Sequence, residues 1–210
     1  MKISIHKKVP LKFYKRDVLL IAKELLGKYL VRKTGKTFIA GKIVEVEAYD
    51  GTIDEASHTY RGKTKRNQVM FEGGGKLYVY FTYGMHFCAN VVTGKMNDGK
   101  AILIRAVEPT EGIQQMIINR YGKEIISEKE LINLCNGPGK VCRAFNINVN
   151  DNGTKLTGND IFIVDSKNLK PVSISTSKRI GIKKSVDLPW RYYITGNKFV
   201  SRLPSSQREK

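Results

Sequence analysis

The chain has 210 residues, 41% hydrophobic and 27% charged, with 37 Lys and Arg against 19 Asp and Glu, a net charge of +18. That composition excludes a disordered polyampholyte and fits one good-sized folded domain, here taken as residues 1–210 with loose basic ends at about 1–8 and 204–210. The excess of positive charge implies a polyanionic partner, and it is concentrated at the ends: residues 1–36 hold 11 basic and 2 acidic groups, and 178–210 hold 9 and 2.

Asp17 is placed to cap a helix whose apolar positions Val18, Ile21, Ala22 and Leu25 share one face, with Gly27 ending it. The run Val18–Ala22 is far too short to span a bilayer, so no membrane is expected. Tyr29–Lys33 and Phe38–Ala48 read as strands joined by a turn at Thr34-Gly35-Lys36. Residues 50–75 read as a long polar connection, a length usually reserved for function. Lys76–Tyr83 and Phe87–Val92 form a hairpin with Tyr83-Gly84-Met85 at its tip, and Ala101–Ala106 is a further strand. Thr110 is expected to cap a helix through about Arg120, and Ser127-Glu128-Lys129-Glu130 is a capping box opening the next. Pro138 suits the first turn of a third helix, and Ile161–Val164, Val172–Thr176 and Tyr192–Thr195 supply late strands. Strands and helices do not alternate regularly, so the expected class is α+β, a single mixed domain with a curved antiparallel sheet.

Cys88, Cys135 and Cys142 show no metal-binding spacing, and only His6, His58 and His86 could complete a Cys/His site. No metal or other cofactor is expected, and the cysteines read as reduced thiols of an intracellular protein without a signal peptide.

The chemistry is concentrated in Glu45-Val46-Glu47-Ala48-Tyr49. On a strand, Glu45, Glu47 and Tyr49 point the same way. They form either a solvated strand face or a carboxylate base beside an aromatic wall. Tyr78, Tyr80 and Thr82 share a face of the hairpin, which fits a structural aromatic stripe. An aromatic and an apolar group at the hairpin tip, Tyr83 and Met85, suit a wedge pushed between base pairs from the minor groove. Arg105 interrupts an apolar strand, either as a snorkelling edge residue or as a group that orients a carboxylate and its water. Gly73-Gly74-Gly75-Lys76 lacks the spacing and the following helix of a phosphate loop, whereas Gly137-Pro138-Gly139-Lys140 enters a helix and is the better anion site.

Ile43–His58, Arg66-Asn67 with Met70-Phe71, Leu77–Asn90, Leu103–Glu111, Leu134–Cys142 and Arg179–Ile182 fall in an order that resembles the alkyladenine (3-methyladenine) DNA glycosylases of the mammalian type, over about Leu11 to Arg202. The resemblance implies a monofunctional base-excision enzyme, acting as a monomer on duplex DNA containing damaged purines. By that resemblance Glu47 activates the attacking water, which Arg105 and the backbone carbonyl of Ile180 also hold. Tyr49, His58 and Tyr80 wall the base pocket, and Asn90 and Leu103 line its floor. Tyr83 fills the gap left by the extruded nucleotide with Met85 beside it. Thr64, Arg66, Arg120, Lys140 and Gly181 contact phosphates. The chain departs from the pattern at His86, where an aromatic residue is usual, and at Lys65, where proline is usual. The loop 59–66 is about one residue shorter, which bears on local DNA contacts. The competing reading is a non-catalytic binder of damaged DNA. A helix–hairpin–helix glycosylase is disfavoured, since neither its hairpin motif nor iron–sulfur cysteine spacing is present.

Overall fold

A computed structural model describes residues 7–82, 84–165 and 172–201. Pro10 precedes a single helical turn, α1 (Leu11–Tyr14), and Asp17 opens α2 (Val18–Leu25). The Asp17 carboxylate accepts from the amides of Leu19 and Leu20, both at 2.9 Å, satisfying donors that a helix start leaves bare. The face Val18, Ile21, Ala22, Leu25 is buried as the 3.6-residue period requires. Asp17→Ala should lower stability by about 1 kcal/mol, read as an earlier urea midpoint at unchanged slope; an unmoved midpoint would mean that water serves those amides equally well.

The frame of the molecule is β2 (Thr37–Asp50), a strand of 14 residues. One of its edges pairs along its length with β5 (Lys100–Glu111). The other edge is shared: β1 (Tyr29–Thr34) takes residues 37–42 and β8 (Arg191–Ile194) takes 45–47. β3 (Leu77–Thr82) and β4 (His86–Thr93) form the hairpin, and β4 joins the sheet through Asn90–Thr93 against β5. β6 (Ile161–Val164) lies outside β1, and β7 (Ile174–Ser177) outside β8. Every pairing is antiparallel, with the order β3-β4-β5-β2-β1-β6 and β8 and β7 branching from β2. Register shifts in β2 at Ala40/Gly41 and around Glu45 add twist and help curl the sheet. The fold is therefore α+β, as the irregular order of elements implied.

Of helices α3 (Ile113–Tyr121), α4 (Glu128–Ile132) and α5 (Pro138–Ala144), α5 packs on β4 and β5, and α3 packs on α5 and β2. Ser127 and Glu130 make the expected capping box, and Pro138 sits in the first turn of α5. Thr110 is not a helix cap. The β2–β5 ladder continues to Glu111, so Thr110 stays in the strand and its Oγ1 donates to the Ala40 carbonyl at 3.0 Å. The helix starts instead after Gly112, whose φ of 68° and approach to the Phe38 carbonyl admit no side chain.

The long connection after β2 is ordered turns with a 3₁₀ turn at Gln68–Phe71. Buried Asn67 ties it together, donating to the carbonyls of His58 and Gly62 and accepting from the Thr64 amide at 2.6 Å. Lys8, at the expected loose amino end, bridges to Val164; the rest of both ends lies outside the described residues. Cys88, Cys135 and Cys142 are free and buried. Among the described residues no helix is long and apolar enough to cross a membrane, and no cluster of His, Cys, Asp and Glu could hold a metal ion.

Candidate active site

Glu47 lies in the middle of β2, across from Leu103 of β5 and Arg191 of β8. Its carboxylate is fully buried and held from three directions. Tyr49 donates its hydroxyl to Oε2 at 2.8 Å, and Arg105 reaches the same oxygen at 3.2 Å. The Ile180 amide donates to Oε1 at 2.7 Å. The strand face bearing Glu45 and Glu47 is therefore not solvated, and Arg105 does not snorkel; both carboxylates are at 0% exposure, and charge pairing offsets their desolvation.

Arg105 links two carboxylates, donating from Nε to Glu45 at 2.9 Å. Glu45 also accepts from Arg191 at 2.7 Å and from both the amide and the hydroxyl of Ser201 at 2.7 Å. Burial acts to raise the Glu45 carboxyl, but the Arg105 and Arg191 guanidiniums outweigh it and hold it below the usual carboxylate range. The Arg105 guanidinium is in turn desolvated, which alone would lower it, yet Glu47 and Glu45 raise it.

In front of Glu47 opens a pocket of about 340 Å³. Its walls are aromatic: Tyr49, His58, Tyr78 and Tyr80, with Asn90, Leu103 and Arg105 beneath. The period of two along β3 puts Tyr78 and Tyr80 on the pocket side, 5.5 Å apart and stacked, while His58 meets Tyr80 edge-on at 4.5 Å. His58 Nδ1 and the Tyr78 hydroxyl are hydrogen-bonded at 3.0 Å. Burial keeps the phenols of Tyr49 and Tyr80 above their ordinary range, so both rings stay neutral. The His58 imidazole is pushed down to about 4 by desolvation against its neighbours, with Arg66 adding positive potential. The residue is exposed at the pocket mouth, so water screens part of that effect, and the direction favours neutral imidazole at pH 7.

Asn90 is buried on the floor, paired across the ladder with Leu103, and its amide donates to the Tyr78 carbonyl at 3.1 Å. Gly181 follows Ile180 at the pocket edge with φ 78°. Arg66 is exposed, 5.3 Å over the Tyr80 ring, and Thr64 is exposed in the turn beside it. Lys140 follows Pro138, another pocket residue, and donates to Asn136 at 2.6 Å. Arg120 stands apart from these: half-buried, it stacks on Tyr121 and donates to the Asn133 carbonyl and to the Tyr121 hydroxyl. Met85 is 70% exposed at the hairpin tip. Tyr83 lies outside the described residues.

Other members of the site had no role assigned from the chain, although Arg179 and Asp54 fall inside the stretches that carry the resemblance. Arg179 is buried, forks onto Asp54, donates to the Ala48 carbonyl and lies 4.6 Å over the Tyr49 ring. It thereby fixes the backbone from which the Ile180 amide reaches Glu47. Arg179 and Asp54 are 125 positions apart, so nothing local announces the pair. Tyr78 was legible from its parity with Tyr80.

A buried carboxylate behind an aromatic slot, on a molecule of net charge +18, fits an enzyme that acts on a polyanion. The methylpurine-DNA glycosylase family profile matches residues 12–198, and the chain belongs to that family. It is a DNA glycosylase, an enzyme of DNA repair. Similar full-length relatives are bacterial and are provisionally named 3-methyladenine DNA glycosylases. That of Carboxydothermus hydrogenoformans is 48% identical, covering 92% of this chain and 98% of its own. The Clostridium botulinum relative is 45% identical (90% and 96% covered), and the Desulfitobacterium hafniense relative 42% (93% and 98%).

Proposed function

We propose that this glycosylase extrudes alkylated or deaminated purines from duplex DNA and hydrolyses the N-glycosidic bond with a water activated by Glu47, leaving an abasic site. The observation that carries this reading is the Glu47 carboxylate, fully buried yet hydrogen-bonded by pocket residues Tyr49, Arg105 and Ile180. A carboxylate offers about four lone-pair sites, so three donors leave room for one water to be polarised. Arg105 and the Ile180 carbonyl hold that water beside C1′ of the flipped nucleotide.

A base inside a stack must leave it before its glycosidic bond can be reached, and Tyr83 and Met85 fill the space it vacates. An alkylated purine is cationic, so the faces of Tyr49 and Tyr80 attract it by ~0.5–2 kcal/mol each. Such a base is also a good leaving group, and the pocket supplies chiefly a base, a water and shelter from solvent. Two lysines, Lys183 and Lys184, line the pocket, and Lys184 is paired with Glu55 at 2.7 Å; with the Glu47 carboxylate held for a water, the reading is a monofunctional hydrolase. Gly181 at the pocket edge, Arg66 over the Tyr80 ring, Thr64 and Lys140 are taken as phosphate contacts, and Arg120 joins them if its bond to Asn133 is exchanged for DNA. We take the enzyme to act as a monomer. With bacterial relatives, its place of work is the cytoplasm or nucleoid of a bacterial cell.

The test is incubation with duplex oligonucleotides carrying 7-methylguanine, hypoxanthine or ethenoadenine, then alkali. Strand breaks at the lesion only after alkali are expected. Tight lesion binding without base release would favour the non-catalytic binder, and breaks without alkali would point to a lyase.

Asn90 is expected to act as a steric gate against the 2-amino group of normal guanine, since its hydrogen bond to Tyr78 fixes it on the floor. Asn90→Ala should permit slow release of undamaged guanine. If the variant discriminates as well as the parent, selectivity is set earlier, in extrusion.

A further inference from the structure

The β3–β4 hairpin separates two cavities. On one side, Tyr80, Thr82, Cys88 and Asn90 face the aromatic pocket. On the other is a cleft of about 310 Å³ between Met85–Phe87 and the α5 segment, bounded by Asn119, Gly139, Arg143 and Asn146. Helix α5 borders both, through the consecutive residues Pro138 and Gly139. The hairpin can lie this close because Gly139 has no side chain; a Cβ there would come within 3.0 Å of the His86 ring.

The cleft has a one-sided charge. No carboxylate lines it. Asp151, which accepts from the Asn148 amide at its edge, is neutralised by Arg32 at 2.9 Å. Arg143 is exposed, and among the described residues no acid pairs with it. His86 and Asn146 are exposed beside it, Asn146 held in a left-handed turn with φ 52°. A guanidinium flanked by an imidazole and an amide suits a phosphodiester, which accepts from such donors in a fork.

This inference rests on the proposed extrusion mechanism. With the hairpin tip in the duplex, the damaged strand follows the pocket side, because its nucleotide enters there. The strand left on the other side is the complement. We infer that the cleft between the hairpin and α5 binds the backbone of the strand opposite the lesion, with Arg143 as its charged contact and His86 and Asn146 as polar partners. The enzyme thereby straddles the gap, holding one strand on each face of the hairpin.

The experiment measures binding of the full chain to a duplex with a non-hydrolysable abasic analogue, with neutral methylphosphonates substituted one at a time in each strand. One or two complementary-strand positions should weaken binding about three- to tenfold, as expected for one exposed charge-assisted contact. Arg143→Gln should weaken the unmodified duplex by a similar factor, become insensitive at those positions, and lower the slope of log affinity on log salt by about one. Its thermal midpoint should match the parent's, the residue being exposed. If no complementary-strand position matters, or Arg143→Gln stays sensitive to all of them, the inference fails. It fails as well if Arg143→Gln alters only the dependence on the identity of the opposite base, since the cleft would then read a base edge. Lesion-strand substitutions separate this from the parent reading: if they too have no effect and no base is released, the proposed function itself falls.

Discussion

Glu47→Gln is expected to lose base release by at least about 10²–10⁴-fold, the scale of a removed general base, while keeping affinity for lesion DNA within about tenfold, ~1.4 kcal/mol. The two readouts separate because Glu47 is buried behind the pocket and touches no surface that a phosphate could reach. The substitution is not silent toward its neighbours. A glutamine side chain has one acceptor oxygen, whereas Glu47 accepts from Tyr49 and Arg105 on one oxygen and from Ile180 on the other. The amide nitrogen must then face a donor, so a modest loss of thermal midpoint accompanies the loss of rate. Glu47→Asp keeps the charge but retracts it by one methylene, and should fall between the two. Single-turnover assays with excess enzyme decide the matter. A parental rate in Glu47→Gln removes this residue from the chemistry, and parallel loss of binding and excision reassigns it to scaffolding.

The parts of this site that could be read from the chain are those set by local periodicity. The i, i+2 spacing of Glu47 and Tyr49 places both on one face of an extended strand, and the Tyr49 hydroxyl does meet Glu47. The same parity along β3 brings Tyr80 into the pocket. Caps at Asp17 and Ser127 were legible because each depends on three or four consecutive residues. What could not be read depends on partners distant in sequence. Thr110 has the chemistry of a cap, but pairing with β2 keeps it in the strand. The strand face of Glu45 looks solvated until its arginines arrive from 60 and 146 positions away. Arg120 looks like a free phosphate ligand, yet packing of α3 against the segment before α5 gives it the Asn133 carbonyl. Local rules put Glu47 with Tyr49, and Tyr78 with Tyr80, on shared strand faces; their proposed roles came from the resemblance, and the electrostatic frame around them is a tertiary product.

That frame leads to the second large effect, on stability. Glu45 makes no contact with the pocket, yet it joins Arg105, Arg191 and Ser201 at 0% exposure. Glu45→Gln preserves its shape and removes its charge. Arg105 retains Glu47, while Arg191 keeps its bonds to the Ser177 hydroxyl and the Ser201 carbonyl but exchanges a carboxylate at 2.7 Å for a neutral amide. Removing one side of a buried ion pair costs about 3–5 kcal/mol, against a total of about 5–15 kcal/mol for a domain. For a chain of this size the thermal midpoint should fall by about 10 °C. The wild-type pair also predicts an acid response. Since the folded Glu45 carboxyl lies below its ordinary value of 4.5, its stabilisation is present above that pH and is lost as pH falls through the folded value. Stability of the parent should therefore decline below about pH 4.5, and the Glu45→Gln variant, already lacking the interaction, should decline less steeply there. Urea midpoints at pH 7 and across the acid range measure both. A variant with the parental midpoint at pH 7 would show that Arg191 needs no carboxylate. A midpoint that falls with equal steepness in acid would assign the acid response to other carboxylates. Because Arg105 is shared, Glu45→Gln should also slow base release in the molecules that remain folded, by less than Glu47→Gln does: the charged anchor that aims the guanidinium at Glu47 becomes a neutral, weaker one.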